Sequence, residues 1–336
     1  MVVVHVTHAV LREDLRSTAA FRIADVAFGL VAPAFLFCVG ASFALRPSSP
    51  LGPRLLRAAG LVALGYAMHA SGLVGYVRSG APGELALFLQ SDILQVIACA
   101  LAVLAVSARV TPARWPWAAL LLGALALGAG PFVGDVGARA PRVLAPYLTY
   151  AVTTQFPLFP WLAYTFVAAG ARGLTSRAGA PDGLLALAVA AVVAAIALVF
   201  LPLPPHDPYR SGPSNAAVRF ALVALFAWAL GRVPRPPRPT APAPAGPSRN
   251  LHGRLDGLLG LLGRRSLFLY VVHVALVYGR HPFSLRTRVG AALGVPGVVI
   301  AVAATLSAMT LLTWGWDRLS DRRTSAQRPR VRSWRP

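Results

Sequence analysis

Nine apolar runs decide what this chain can become. They cover roughly residues 24–45, 56–76, 88–107, 116–133, 157–171, 183–203, 215–231, 266–280 and 292–315. Each approaches the length of about 20 residues that a helix needs to cross a bilayer. In hydrocarbon every backbone N–H and C=O must find a partner within the chain, so runs of this kind become helices. Hydrophobic residues make up 56% of the chain and charged residues 13%, with a mean hydropathy of +0.62. A soluble domain carries about a quarter charged residues. The expected fold is therefore all-α, a polytopic membrane helix bundle of about ten segments. The first of these, residues 1–11 in "MVVVHVTHAVL", is truncated. It rises only about 16 Å, half of the hydrocarbon core.

A net charge of +21 would ordinarily suggest a nucleic-acid partner. The distribution of arginines argues otherwise. If the opening run exits outward, 21 of the 32 arginines fall on segments 46–57, 108–115, 172–182, 232–265 and the tail from 316. Positive charge concentrates on the cytoplasmic side of membrane proteins, where anionic lipid attracts it. The lipid bilayer is thus the expected partner, nucleic acid is not, and the C-terminus is cytoplasmic. All basic residues are Arg and none is Lys, a bias expected of a GC-rich bacterium and its inner membrane. The domain reading is a core over 1–232, a Pro-rich linker over 233–250, the rest of the same core over 251–315, and a basic tail over 316–336. The PxxP spacing of the linker suits a peptide-binding domain, but a spacer is the simpler reading. No basic region precedes the apolar start, so no cleavable signal sequence is expected. Cys38 and Cys99 sit in apolar runs, which excludes a disulfide scaffold and most thiolate metal sites; no metal is expected.

Ionisable groups inside membrane segments are costly and usually face a cavity or a partner. His5 lies about 10 Å below the outer face and His69 about 18 Å up from the inner one. His273 stands about 12 Å from the inner side. His8 is shallower than His5, and Asp25 opens the second segment at the outer face. Asp92 and Gln95 sit within the outer end of the fourth. All fall near the midplane or between it and the outer surface. Each also has a plainer reading: interhelical bonds for His5, an interfacial position for His8, Tyr packing for His273 beside Tyr270 and for His69 beside Tyr66, and an N-cap for Asp92. His206, His252 and His281 fall in loops.

In "FPLFPWLAY" (156–164) two prolines disturb the helix start. Trp161 and Tyr164 fit either an aromatic belt or a re-entrant lip over a cavity. In "RSGPSNAAVRF" (210–220), Ser214 or Asn215 is a candidate cap, and Arg219 either binds an anion or snorkels.

At these residues the chain resembles the heparan-α-glucosaminide N-acetyltransferase family of multi-pass acyltransferases, in a bacterial form. "MVVVH" resembles the end of its first helix, and "LVAPAFLFCVGASFAL" (30–45) its second. "SDILQVIACAL" resembles its LQxxG helix, with Ala98 in place of Gly. "GRRSLFLYVVHVAL" (263–276) resembles its NSxxxYxxH helix, with Arg265 in place of Asn. The resemblance implies that acyl-CoA, acetyl-CoA in the first place, binds from the cytoplasm and that the acyl group passes to an amine or hydroxyl of a sugar or glycan on the far side. It implies a histidine as general base or transient acyl carrier. His5, His8 and His273 are the candidates for catalysis. Asp25, His69, Asp92, Gln95, Trp161, Arg219 and Tyr270 are candidates for substrate binding. Arg46, Arg54, Arg57, Arg109 and Arg114 either meet CoA phosphates or are ordinary positive-inside charge. A homodimer is an admissible assembly.

Three other readings compete. One is an O-acyltransferase of cell-envelope polysaccharide. Another is a small-molecule transporter, which would more often show inverted repeats. The third is a non-catalytic membrane protein. Two departures from the family stand out. Its animal enzyme carries the catalytic His in the loop after the first helix, and counting on from His5 reaches Arg12–Arg16, where no His occurs. The family's RxxxLDxxRG element, which precedes its first helix, is also lacking. The expectation is that the native start lies upstream. A stop codon just before the Met1 codon, with no such element in frame, contradicts it.

Overall fold

The computed structural model of the protein describes residues 1–150, 156–178, 182–204, 206–210, 212–232 and 260–327, the side chains of 177–178 and 319–327 excepted. In chain order the helices are α1 Val2–Val10, α2 Glu13–Arg16, α3 Ala19–Phe28, α4 Val31–Phe43, α5 Leu51–Met68, α6 Ala70–Ser79, α7 Pro82–Leu89 and α8 Ile93–Val110. They continue with α9 Trp115–Arg139, α10 Ala145–Leu148, α11 Leu158–Ala178, α12 Gly183–Val199, α13 Pro213–Arg232, α14 Ser266–Tyr278, α15 Leu285–Arg288 and α16 Val295–Gln327. Among the described residues there is no β-strand. The all-α expectation holds, and each of the nine apolar runs is mainly helical. Five helical stretches are long and apolar enough to cross a membrane, or six if the bent pair α5 and α6 counts as one. α12 and α14 are apolar but shorter. The linker expected over 233–250 lies outside the described residues, as does the end of the basic tail, 328–336.

The chain divides into two compact units. The first takes residues 1–28 with the described residues from 260 on. Its core is a cluster of Val6, Ala9, Val10 and Leu11 against Val277 and Val298, flanked by Leu285, Val289 and Leu293. Full burial of each Val or Leu side chain contributes about 1.5–3 kcal/mol. Backbone bonds fix the end of α1. The Leu293 amide donates to the Val10 carbonyl at 2.8 Å and the Arg12 amide to the Leu293 carbonyl at 3.0 Å. Leu11 and Leu293 thereby form an isolated parallel bridge. At the other end of α14, Arg265 bonds Asp317 of α16 at 2.7 Å.

The second unit spans Gly29–Arg235. α11 packs on α4 and α9 through small residues, as membrane helices do when their backbones approach closely. A Cβ at Gly40 would overlap the Thr165 carbonyl and stand 3.0 Å from the Ala169 amide nitrogen. The Thr165 hydroxyl donates to the Leu36 carbonyl at 3.3 Å across the same contact. Gly170 and Gly173 of α11 face Pro116 with Leu120 and Trp115 of α9. α5 meets α8 where Gly65 leaves room for the buried Gln95 side chain.

Four local expectations change. The run over 88–107 is not one span. The chain breaks over 90–92, because Ser91 donates to the Phe156 carbonyl at 2.8 Å and Asp92 starts a new helix. Asp92 accepts from the Ile93 amide at 2.6 Å, while Gln95 Oε1 accepts from the Asp92 amide at 3.1 Å. Together they form a capping box, so both sit in the first turn of α8 rather than deeper in a span. His69 is not inside a continuous helix but at the break between α5 and α6, which bend by 50°. α13 starts at Pro213, whose ring suits the first helical position. Ser214 and Asn215 are therefore inside its first turn and bond outward, to the carbonyls of Ala195 at 3.0 Å and Tyr209 at 2.7 Å.

Gly40→Ala is expected to destabilise the protein by about 1–3 kcal/mol through overpacking, whereas Gly128→Ala, with open space around it, should be neutral or slightly stabilising. Thermal unfolding of the two variants in one detergent decides the point. Asp92→Ala should cost about 0.5–2 kcal/mol and Asp92→Asn almost nothing, since Asn caps as well as Asp; equal losses for the two would refute the capping role.

Candidate functional site

α1 and α14 face each other with an imidazole each. His5 Nδ1 lies 3.0 Å from His273 Nε2, and the ring centroids are 5.0 Å apart. His273 Nδ1 lies 2.7 Å from the Leu269 carbonyl one turn back. A carbonyl only accepts, so this nitrogen carries the proton. Neutral His273 then presents a lone pair at Nε2, and His5 donates to it from Nδ1. The second nitrogen of His5, Nε2, is left as the lone pair of the pair. This tautomer assignment follows from the hydrogen-bond network. His273 is 1% exposed and Tyr270 5%. Tyr270 meets the His273 ring edge-on at 5.6 Å.

Tyr278 completes the group. Its hydroxyl donates to the His5 carbonyl at 3.1 Å, and its ring stands edge-on to His5 at 5.5 Å. No pattern in the sequence singles it out, although it lies five residues beyond His273 on the same helix. His8 points elsewhere: its Nε2 is 3.0 Å from Asp25 Oδ1, between the rings of Phe21 and Phe28. The two histidines of the opening stretch thus have separate partners.

A cavity of about 330 Å³ opens beside this group, lined by His8, Arg16, Tyr278 and Arg286 with small residues of α1 and of 290–291. Arg16 Nη2 donates to the His8 carbonyl at 2.9 Å and Nη1 pairs with Glu13 at 3.0 Å. The neighbouring Asp14 carboxyl is held below its usual range by its bond to Arg12. Neither Arg16 nor Arg286 was among the expected site residues, because an arginine between apolar runs carries little signal in an arginine-rich chain.

The remaining candidates belong to the second unit and form two groups. His69 Nδ1 lies 2.9 Å from the Gly65 carbonyl, and the His69 ring is near enough to Asp92 to feel its charge. Gln95 is fully buried, and its Nε2 has no partner among the described residues. The second group is aromatic. Trp161 and Tyr164 are 8% and 3% exposed, packed inside the unit, so they are not a lipid-facing belt. Trp161 donates to the Tyr150 hydroxyl at 2.6 Å, which donates in turn to the Arg210 carbonyl at 2.7 Å. Burial pushes the Tyr150 phenol above its ordinary range, so it remains a donor. Arg219 lies near enough to the Tyr164 hydroxyl for its charge to reach it. Of the arginines considered for CoA, Arg54 is committed to the carbonyls of Arg46 and Pro47 and to the face of Phe43. Among the described residues no three His, Cys, Asp or Glu side chains gather closely enough to hold a metal ion.

Neither a comparison with curated proteins nor one with solved structures finds a match. One family profile does match, over residues 1–202: heparan-alpha-glucosaminide N-acetyltransferase, catalytic. That stretch holds α1, both helices of the bent pair, the capping box of α8 and the buried aromatic turn of α11. With its apolar helices and this match over more than half its length, the chain is a multi-pass membrane protein that belongs to the heparan-alpha-glucosaminide N-acetyltransferase catalytic family.

Proposed function

We propose that the protein transfers an acetyl group from acetyl-CoA, bound at the cytoplasmic side of a bacterial inner membrane, to an amine or hydroxyl of a sugar on the other side, with His5 as general base. The observation that carries this reading is the bonded series from His5 through His273 to the Leu269 carbonyl. As the acceptor attacks the thioester carbonyl, a C–N or C–O bond forms and the C–S bond breaks. The acceptor's proton moves to His5 Nε2, and CoA leaves as the thiolate. The positive charge on His5 is relieved by passing its Nδ1 proton to His273, whose other nitrogen the Leu269 carbonyl already holds. Tyr270 and Tyr278 fix the planes of the two rings, a role that leaves them positioning residues. His8, held by Asp25, borders the cavity beside them and suits contact with the acceptor. The buried Trp161 and Arg219 group supports a substrate-binding role in the second unit, as does the unpartnered Gln95 amide.

Full-length protein in detergent, given labelled acetyl-CoA and a panel of amino sugars, tests this directly. Wild type should transfer label, and His5→Ala should lower kcat by about 10²–10⁴. His273→Gln keeps an acceptor beside His5 but cannot take a proton. It should lower kcat while leaving KM for the sugar nearly unchanged. A wild-type rate from either variant would remove the histidine pair from the mechanism.

A further inference from the structure

One rim of the second unit carries charge that no carboxylate in it answers. The end of α4, the start of α5, the end of α8 and the start of α9 build it. Gly65, near the end of α5, meets Gln95 in the first turn of α8. The two helices are therefore antiparallel, and the start of α5 shares a rim with the end of α8. The Arg54 guanidinium lies 4.4 Å from the centre of the Phe43 ring, and that ring meets Trp115, the first residue of α9, edge-on at 5.8 Å. Residues 43–57 and 107–117 hold five arginines, Arg46, Arg54, Arg57, Arg109 and Arg114, and no Asp or Glu. Elsewhere an arginine with a carboxylate in reach takes it, as Arg232 takes Asp182 and Arg265 takes Asp317. None of the five has an ion pair among the described residues. Arg54 donates only to the uncharged carbonyls of Arg46 and Pro47, and it stands near enough to Arg57 for the two charges to repel. Because α5 and α9 begin here, their dipoles add to the positive field instead of relieving it. The other four arginines are exposed.

We propose that this rim is a discrete docking surface for an anionic phospholipid, its phosphodiester headgroup held among Arg46, Arg57, Arg109 and Arg114. The apolar neighbours of these cations decide the class of ligand. Leu56 precedes Arg57, Val110 follows Arg109, and Trp117 lies three residues beyond Arg114; all three side chains are exposed. A soluble phosphate or a nucleic acid has no use for apolar surface beside each cation. A phospholipid brings phosphate and hydrocarbon together, and tryptophan favours the depth of its headgroup. Guanidinium groups take phosphate oxygens through paired N–H bonds. Ordinary attraction of basic segments to an anionic leaflet is spread over the surface and does not saturate. Here the cations gather at the ends of helices that the Phe43 ring ties together, so the lipid is held at a fixed stoichiometry. Its phosphate offsets the repulsion between Arg54 and Arg57 and so stabilises the turn from α4 into α5. The site is independent of the acyl-transfer reading.

The test titrates the full chain, stripped of lipid in a neutral detergent, with phosphatidylglycerol or phosphatidylcholine and counts bound lipid by native mass spectrometry. Phosphatidylglycerol should saturate at a small whole number per chain and bind at least about tenfold tighter than phosphatidylcholine, as one charge-assisted bond implies. The double variant Arg57→Gln with Arg114→Gln, both exposed positions, should lower that affinity about 10–100-fold. Arg78→Gln, an exposed change on α6, should leave it unchanged. Phosphatidylglycerol should also raise the unfolding temperature of wild type and not that of the double variant. Binding that never saturates, that shows no preference over phosphatidylcholine, or that is equal in wild type and the double variant overturns the proposal, as does an equal rise in unfolding temperature for both. Coenzyme A separates lipid from soluble phosphate. Phosphatidylglycerol retained at saturating coenzyme A supports the lipid site, whereas displacement mole for mole assigns the rim to the soluble compound and overturns it.

Discussion

An imidazole removed from water must have its polar atoms answered from within the protein, and that requirement organises the first unit. His273 is almost wholly enclosed, so one nitrogen takes the Leu269 carbonyl and the other meets His5 at 3.0 Å. The two residues are 268 positions apart. Bringing them together presupposes that α1 and α14 are packed side by side, which the cluster around Val6, Val10 and Val277 accomplishes. Loss of either histidine would leave the other with an unanswered nitrogen in a low-dielectric setting, a penalty of about 1–3 kcal/mol before any loss of activity. The apolar cluster and the polar pair thus depend on one another.

The second unit rests on a different rule. Lipid tails compete equally for apolar side chains, so helices there associate by close approach and shared polar contacts. Gly40, Gly170 and Gly173 permit the approach around α11, and Thr165 adds the hydrogen bond. The Tyr66 and Tyr147 hydroxyls, 2.7 Å apart, tie α5 to α10 in the same manner.

Much of this was legible in the sequence. Long apolar runs become helices for a reason that tertiary context cannot override, and all nine are mainly helical. Depth counting singled out His5 and His273, and helical spacing added Tyr270; the structure brings these three into one group, and it joins His8 to Asp25 at 3.0 Å. What escaped was whatever depends on side-chain direction or loop course. The bend at His69 has no Pro or adjacent Gly pair to announce it, only a histidine that bonds one turn back to Gly65. The split before Asp92 comes from the distant Phe156 carbonyl. The burial of Trp161 is set by Tyr150, which no periodicity relates to it. Arg16 and Arg286 meet only because the chain folds two separate segments against a single cavity.

The small bridge between Leu11 and Leu293 now acquires a different weight. It is made of main-chain atoms alone, so it does not depend on which side chains the adjoining segments carry. Residues 12–18 and 284–292 hang from that fastening, and each contributes one guanidinium to the cavity wall. Such an arrangement lets the wall be rewritten by mutation while the histidines keep their spacing.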